Sequence, residues 1–206
     1  MSTVFTNSVD IFAFKCYILL RREVSILKNR LKIKNMTHIA LYSIVITVCS
    51  WIAIPTNMPI TLQTLGIYFV IFYAGGGKAT LSILVYIALG LIGLPVFAGF
   101  NTASVAFASP VSGYIIGFIV AGGLYFVAEL IFPNAMKRGF VKYSVAAVGL
   151  LSCYALGAYT FHLYLNEYSE GYWSCFFGQI LVYGLVDTIK IAYAAFLSNY
   201  LKAVKA

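Results

Sequence analysis

LVYGLVDTIKIAYAAF, residues 181–196, is an apolar run long enough to matter to a membrane, yet Asp187 and Lys190 stand in its middle. A charge at the centre of a bilayer costs at least about 2.5 kcal/mol on insertion scales. At 3.6 residues per turn, two side chains three positions apart share one helix face. One reading is an intrahelical ion pair that neutralises itself and serves packing alone. Against it, a pair at membrane depth still loses its hydration, and apolar replacements of buried pairs are often neutral or stabilising. Ionisable residues within a span mark functional sites. The pair offers an acceptor and a donor side by side, which suits a small polar ligand carrying both. Tyr183 and Gln179, one and two turns earlier, extend the polar stripe.

The rest of the chain supports the membrane setting. Of 206 residues, 62% are hydrophobic and only 10% charged, against about 25% charged in a soluble domain. Mean hydropathy is +0.91. The sequence is therefore expected to form an all-α integral membrane protein, a bundle of six transmembrane helices with no second, soluble domain. Apolar segments lie near 37–55, 62–75, 79–94, 111–132, 140–165 and 173–200, the second of them short for a full span. Pro55, Pro59, Pro95, Pro110 and Pro133 all fall at or outside these segment ends, where a missing N–H and a fixed φ do least harm.

The net charge of +8 does not indicate nucleic-acid binding. Seven of the fourteen basic residues precede Asn35, and no basic face alternates with stacking aromatics. Residues 1–35 read as a basic N-terminal extension, either an amphipathic segment on an anionic cytoplasmic membrane face or an over-called start ahead of Met36. The six-helix domain then occupies 36–206. Lys78, the cluster Lys137, Arg138 and Lys142, and the tail lysines Lys202 and Lys205 all belong with the N-terminus on one side. Loops 55–62, 94–110 and 166–172, on the other side, hold no Lys or Arg. Positive charge concentrates on the cytoplasmic face, so both termini are expected there and the lipid bilayer is an obligate partner.

The outer loops PTNMPIT (55–61) and GLPVFAGFNTASVAFASPVSG (93–113) are uncharged and fairly apolar. Irregular backbone near membrane depth is tolerated where it is buried or lines a cavity, so these loops are read as roofing a site. Ser109, Gly113, Gly117 and Ala121, four apart, form a small-residue stripe. Such a stripe serves close helix packing within the chain or docking of another subunit. AGGGKAT (74–80) fails as a phosphate loop, because Phe72 and Ala79 stand where Gly and Ser/Thr are needed. His38 and His162 lack ligand spacing, and Glu129 has no acidic mate. The cysteines Cys16, Cys49, Cys153 and Cys175 form no metal or disulfide pattern. No enzyme activity, catalytic residue, metal or cofactor is expected.

PITLQTLG (59–66), LVYIALGLIGLPVFAGF (84–100), SPVSGYIIGF (109–118) and the closing D-x-x-K of Asp187 and Lys190 resemble the BioY family over about residues 37–200. That family comprises the biotin-binding substrate (S) components of energy-coupling-factor (ECF) transporters in prokaryotic cytoplasmic membranes. The resemblance implies a six-helix bundle that binds biotin near the outer face, beneath its first and third loops. Asp187 and Lys190 match the family's D-x-x-K pair, and Asn101 its loop asparagine. Thr61, Gln63, Tyr86 and Tyr114 are further lining candidates, with closing helix ends or packing loops as their alternative role. Asp187 can accept from the ureido N–H groups, and Lys190 can donate to the ureido carbonyl or to the tail carboxylate. The resemblance also implies a transmembrane coupling subunit and ATPases as partners. Here the chain departs from the family, as it does at Val186 and in GFNTAS. IALYSIVITVCSWIA (39–53) lacks the family's A-x-x-x-A docking pattern and retains only Ser43 with Thr47, or Cys49 with Ala53. Working with an atypical partner or alone stays open on this ground. An S component for another vitamin and a structural or assembly membrane protein are the competing readings.

Overall fold

The computed structural model describes residues 32–54, 59–164 and 171–205. The chain divides into Met1–His38 and Ile39–Ala206. Of the first unit, residues 32–38 are described, and they are helical. Cys16, Pro55 and nearly all of the 1–35 extension fall outside the described residues.

The second unit opens with helix α1 (39–51). A two-stranded antiparallel hairpin follows, β1 (Ala53–Ile54) and β2 (Ile60–Thr61). Then come α2 (Gln63–Ala74), α3 (Gly76–Leu91), the short α4 (Ala103–Phe107), α5 (Ser112–Ile131), α6 (Gly139–Tyr164) and α7 (Tyr172–Lys205). Six of these helices coincide with the six apolar segments, and α4 is an addition inside the 94–110 loop. Three helices, α5, α6 and α7, are long and apolar enough to cross a membrane. The chain is thus a multi-pass helical membrane protein. Helices α2 and α3, with 12 and 16 residues, reach only about 18 and 24 Å at 1.5 Å per residue, short of a hydrocarbon core of about 30 Å.

Glycine decides how closely the helices approach. A Cβ on Gly113 would lie 2.2 Å from the Leu156 carbonyl oxygen, and one on Gly117 2.7 Å from Cys153 Cα. The small-residue stripe of α5 is therefore spent on packing against α6 and is closed to a partner subunit. The same holds for α1: Ser43 and Thr47 are buried, with Ser43 Oγ donating to the Ser82 carbonyl at 2.8 Å, and Cys49 lies against Gly66. Ser43 and Thr47 face inward, Cys49 is half-buried and Ala53 lies in β1, while Leu41, Ile44 and Val48 point outward.

The α2–α3 turn is equally tight. Gly75 has φ +86°, a region that side chains other than glycine rarely enter. A Cβ on Gly76 would meet Phe126 N at 2.5 Å. Glu129 of α5, which has no acidic neighbour to serve, caps the helix instead: Gly76 N–H donates to its Oε2 at 2.7 Å. Lys202 Nζ of α7 donates to the Phe72 carbonyl at 2.7 Å. An acid thus meets the positive end of α3, and a base the negative end of α2.

Helix α7 is two-faced. Leu181, Leu185, Ile189 and Tyr193, four apart, are exposed, whereas Lys190, Ala194 and Ser198 are buried. The ion pair belongs to the inward stripe.

Candidate functional site

The roof of the site is a loop held from two sides. Ser50 Oγ donates to the Val96 carbonyl, and Trp51 Nε1 to the Pro95 carbonyl at 2.8 Å. Phe97, 3% exposed, packs edge-on against Tyr86 with centroids 5.1 Å apart. Its ring occupies the place a side chain on Gly90 would take, 2.2 Å from the would-be Cβ. Beyond Phe97 the chain reverses through Gly99 and Phe100, both at positive φ. Phe100 pays for that conformation by stacking on Trp51 at 5.0 Å. Asn101 Nδ2 closes the turn by donating to the Ala98 carbonyl at 2.9 Å.

Beneath this roof lies a cavity of about 250 Å³. Residues of the first loop and α2 (Pro59, Ile60, Thr61, Gln63, Thr64) form one wall, and Phe97, Asn101, Val105, Ala106 and Ser109 the cover. Tyr114, Ile115 and Phe118 of α5, Tyr154 of α6, and Tyr183, Val186, Asp187 and Lys190 of α7 complete it. Both uncharged loops thus contribute described residues to the cavity, Pro59, Ile60 and Thr61 to its wall and the 94–110 loop to its cover.

At the cavity floor Lys190 Nζ donates to Asp187 Oδ1 at 2.8 Å. The two side chains are only 10% and 13% exposed. The second carboxylate oxygen, Oδ2, accepts from Tyr154 OH at 2.7 Å. Tyr114 OH donates to Gln179 Oε1 at 2.6 Å. Each carboxylate oxygen has two lone pairs and the ammonium three hydrogens, so pair and tyrosine leave both acceptor and donor capacity for a molecule in the cavity. The pair carries no net charge, which favours a neutral donor–acceptor group over a lone ion at this depth.

Of the residues singled out from sequence, Asp187, Lys190, Asn101, Gln63, Thr61 and Tyr114 share this cavity. Tyr86 does not line it. It is 1% exposed and stands behind Gln63, whose Nε2 donates to its hydroxyl at 3.0 Å, because its ring is taken up by Phe97. Gln179 is buried behind Tyr114 rather than placed on the wall. Tyr154 was not singled out. The available signal was its place in the middle of an apolar helix, where a phenol needs a polar partner. Among the described residues no cluster of His, Cys, Asp or Glu could hold a metal.

Fold and cavity define a class: a multi-pass helical membrane protein with a loop-covered cavity floored by a buried ion pair. A model of the BioY family matches residues 24–206, and the chain belongs to that family. The match opens ahead of Met36. The chain is 27% identical over 173 residues to the biotin transporter BioY of Thermotoga maritima, covering 84% of this chain and 98% of that protein. It is 31% identical over 173 residues to the probable biotin transporter BioY of Pyrococcus horikoshii, with the same coverage of 84% and 98%. Among solved structures it is similar to the S-component for biotin from an ECF-type ABC transporter. That match has a TM-score of 0.74 at 25% identity, over 85% of this chain and 94% of that one.

Proposed function

We propose that this protein captures biotin at the outer face of a prokaryotic cytoplasmic membrane and serves its uptake as the S component of an ECF-type transporter. Its role is binding and transport, and the chemical energy comes from ATPases and a coupling subunit carried by other chains. One observation carries the reading. Asp187 Oδ1 and Lys190 Nζ stand 2.8 Å apart at the cavity floor, an acceptor beside a donor. In a cyclic urea the ring holds each N–H on the same edge as the C=O, so one edge of biotin's ureido ring offers the complementary donor and acceptor. An open-chain secondary amide, whose N–H and C=O point to opposite sides, cannot satisfy both at once. We assign the ureido edge to the pair, with Lys190 on the carbonyl. The anionic tail then points outward, beneath Asn101 and Thr61, where it keeps contact with water. Burying that carboxylate against a pair of zero net charge would leave an uncompensated anion at depth.

In this reading the bundle makes six passes, with α2 and α3 deep but short. Both termini are cytoplasmic, supported by the absence of Lys and Arg from loops 55–62, 94–110 and 166–172. The test is calorimetric titration of the detergent-purified protein with biotin, beside Asp187→Asn. Saturable wild-type binding that the substitution weakens strongly, with the protein still folded, supports the assignment. Absence of wild-type binding, or tighter binding of a vitamin without a cyclic urea, refutes it.

A further inference from the structure

We propose that Tyr154 is a positioning residue for ligand recognition: its hydroxyl fixes the Asp187 carboxylate so that one face of the Asp187–Lys190 pair is presented to the cavity. The inference rests on the biotin reading above.

Asp187 and Lys190 lie on one helix, three residues apart, and bond through Oδ1 alone at 2.8 Å. Such a pair is rotationally degenerate, because the carboxylate can turn about its terminal torsion and offer either oxygen, or both, to the ammonium. The Tyr154 hydroxyl, reaching across from α6, removes that freedom by claiming Oδ2 at 2.7 Å. With one oxygen held by each neighbour, the remaining lone pair of Oδ1 and the free N–H groups of Lys190 point from adjacent atoms.

Tyr154 can do this because it is itself fixed. It is 2% exposed and meets the ring of Tyr114 edge-on, with centroids 6.1 Å apart and planes at 88°. Tyr114 in turn is anchored to Gln179 of α7 at 2.6 Å. Glycines on both helices permit the arrangement. Gly117 lets α5 close on Cys153, next to Tyr154, and Gly157 leaves room for the Tyr114 ring, 2.4 Å from where its Cβ would be. The α5–α6 contact thus sets a phenol at a defined distance from a carboxylate on a third helix. Among the described residues Tyr154 is the one recorded hydrogen-bond partner of Asp187 outside its own helix.

The proposal predicts coupling, which a packing role does not. Tyr154→Phe keeps the ring and deletes the hydroxyl. In biotin titrations it should weaken binding about ten-fold, because the carboxylate is no longer held for the ligand, and it also lowers the melting temperature of the unliganded protein, where the same bond is present. The same change on an Asp187→Asn background should cost little, because residues acting through one another are non-additive. Where binding by the Asp187→Asn protein is too weak to titrate, competition on the single variant reads the same coupling. The preference for biotin over diaminobiotin, which lacks the ureido carbonyl, should fall in Tyr154→Phe. Additive losses, or an unchanged preference for biotin, would overturn the positioning role whatever the melting temperature does. Failure of the wild type to bind biotin would instead defeat the function proposed above.

Discussion

The two ends of the helix bundle solve one problem in opposite ways. At each end charged side chains are engaged by the fold. At the α2–α3 turn, Glu129 and Lys202 are spent on backbone: the carboxylate takes the Gly76 N–H, and the ammonium gives to the Phe72 carbonyl. At the other end, Asp187 and Lys190 bond to each other and to Tyr154, beside a cavity of about 250 Å³. The first arrangement closes a turn. The second leaves unsaturated donors and acceptors facing empty space, under a loop bolted to α1. A charge taken up by the fold therefore does not by itself mark a site. Donors and acceptors that face a lined cavity do.

The comparison breaks most sharply at glycine. Gly76→Val places a branched side chain where even a Cβ would lie 2.5 Å from Phe126 N. Overpacking of this kind costs up to about 3 kcal/mol, and here the obstacle is backbone that cannot step aside. The expected outcome is a large fall in melting temperature, with biotin affinity retained in whatever fraction stays folded. Strong selective loss of binding, with the melt unchanged, would show that the two ends are not separable.

The mirror-image change is Asp187→Asn. It should lower biotin affinity by about a hundred-fold, near 2.7 kcal/mol, and also lower the melting temperature, since an amide still accepts from Tyr154 but leaves the buried Lys190 ammonium without its counter-charge. Asn101→Ala comes next. Its amide closes the 98–101 turn and borders the cavity, so an affinity loss of about ten-fold is expected by calorimetry. An Asn101→Ala protein that binds like wild type would confine the residue to shaping the roof.

How much of this was legible beforehand differs between the same two ends. The outer site was readable because its parts are chemically conspicuous. Asp187 and Lys190 stand out against an apolar run, and uncharged loops next to a membrane need an explanation. Six of the seven residues named from sequence reach the cavity. The miss, Tyr86, and the omission, Tyr154, have one cause: both are tyrosines in apolar helices, and which of them faces the cavity depends on helix rotation set by distant glycines. Nothing near Tyr154 in sequence announces Asp187, which lies on another helix. At the inner end, AGGGK was recognisable as a turn, but its partners Glu129 and Lys202 were not, being 53 and 130 residues away along the chain from the groups they bond. The doubled small-residue spacings of α1 and α5 were ambiguous in principle, since close packing within a chain and docking between chains ask for the same residues. The structure places the α5 stripe, and Ser43 with Thr47 of α1, in packing within the chain.

The finest separation of the two ends is at the charges of the inner turn. Glu129→Gln keeps an acceptor for Gly76 N–H but removes the negative charge at the start of α3, a change of about 1 kcal/mol at most. Lys202→Met removes a cation from the last turn of α2 while keeping the apolar stem, and about 0.5 kcal/mol is expected. Each should appear as a shift of a few degrees or less in the thermal melt. Neither should alter biotin affinity beyond about two-fold, because neither side chain borders the cavity. The Lys202 change is the more discriminating of the two. Lys202 rides on α7, the helix that also carries Lys190, twelve residues and about 18 Å nearer the cavity at 1.5 Å per residue. If α7 acted as a rigid lever between the ends, releasing its inner anchor would loosen the ligand pair and weaken binding along with stability. If the ends are independent, as the placing of Glu129 and Lys202 away from the cavity argues, the melt moves and the titration does not.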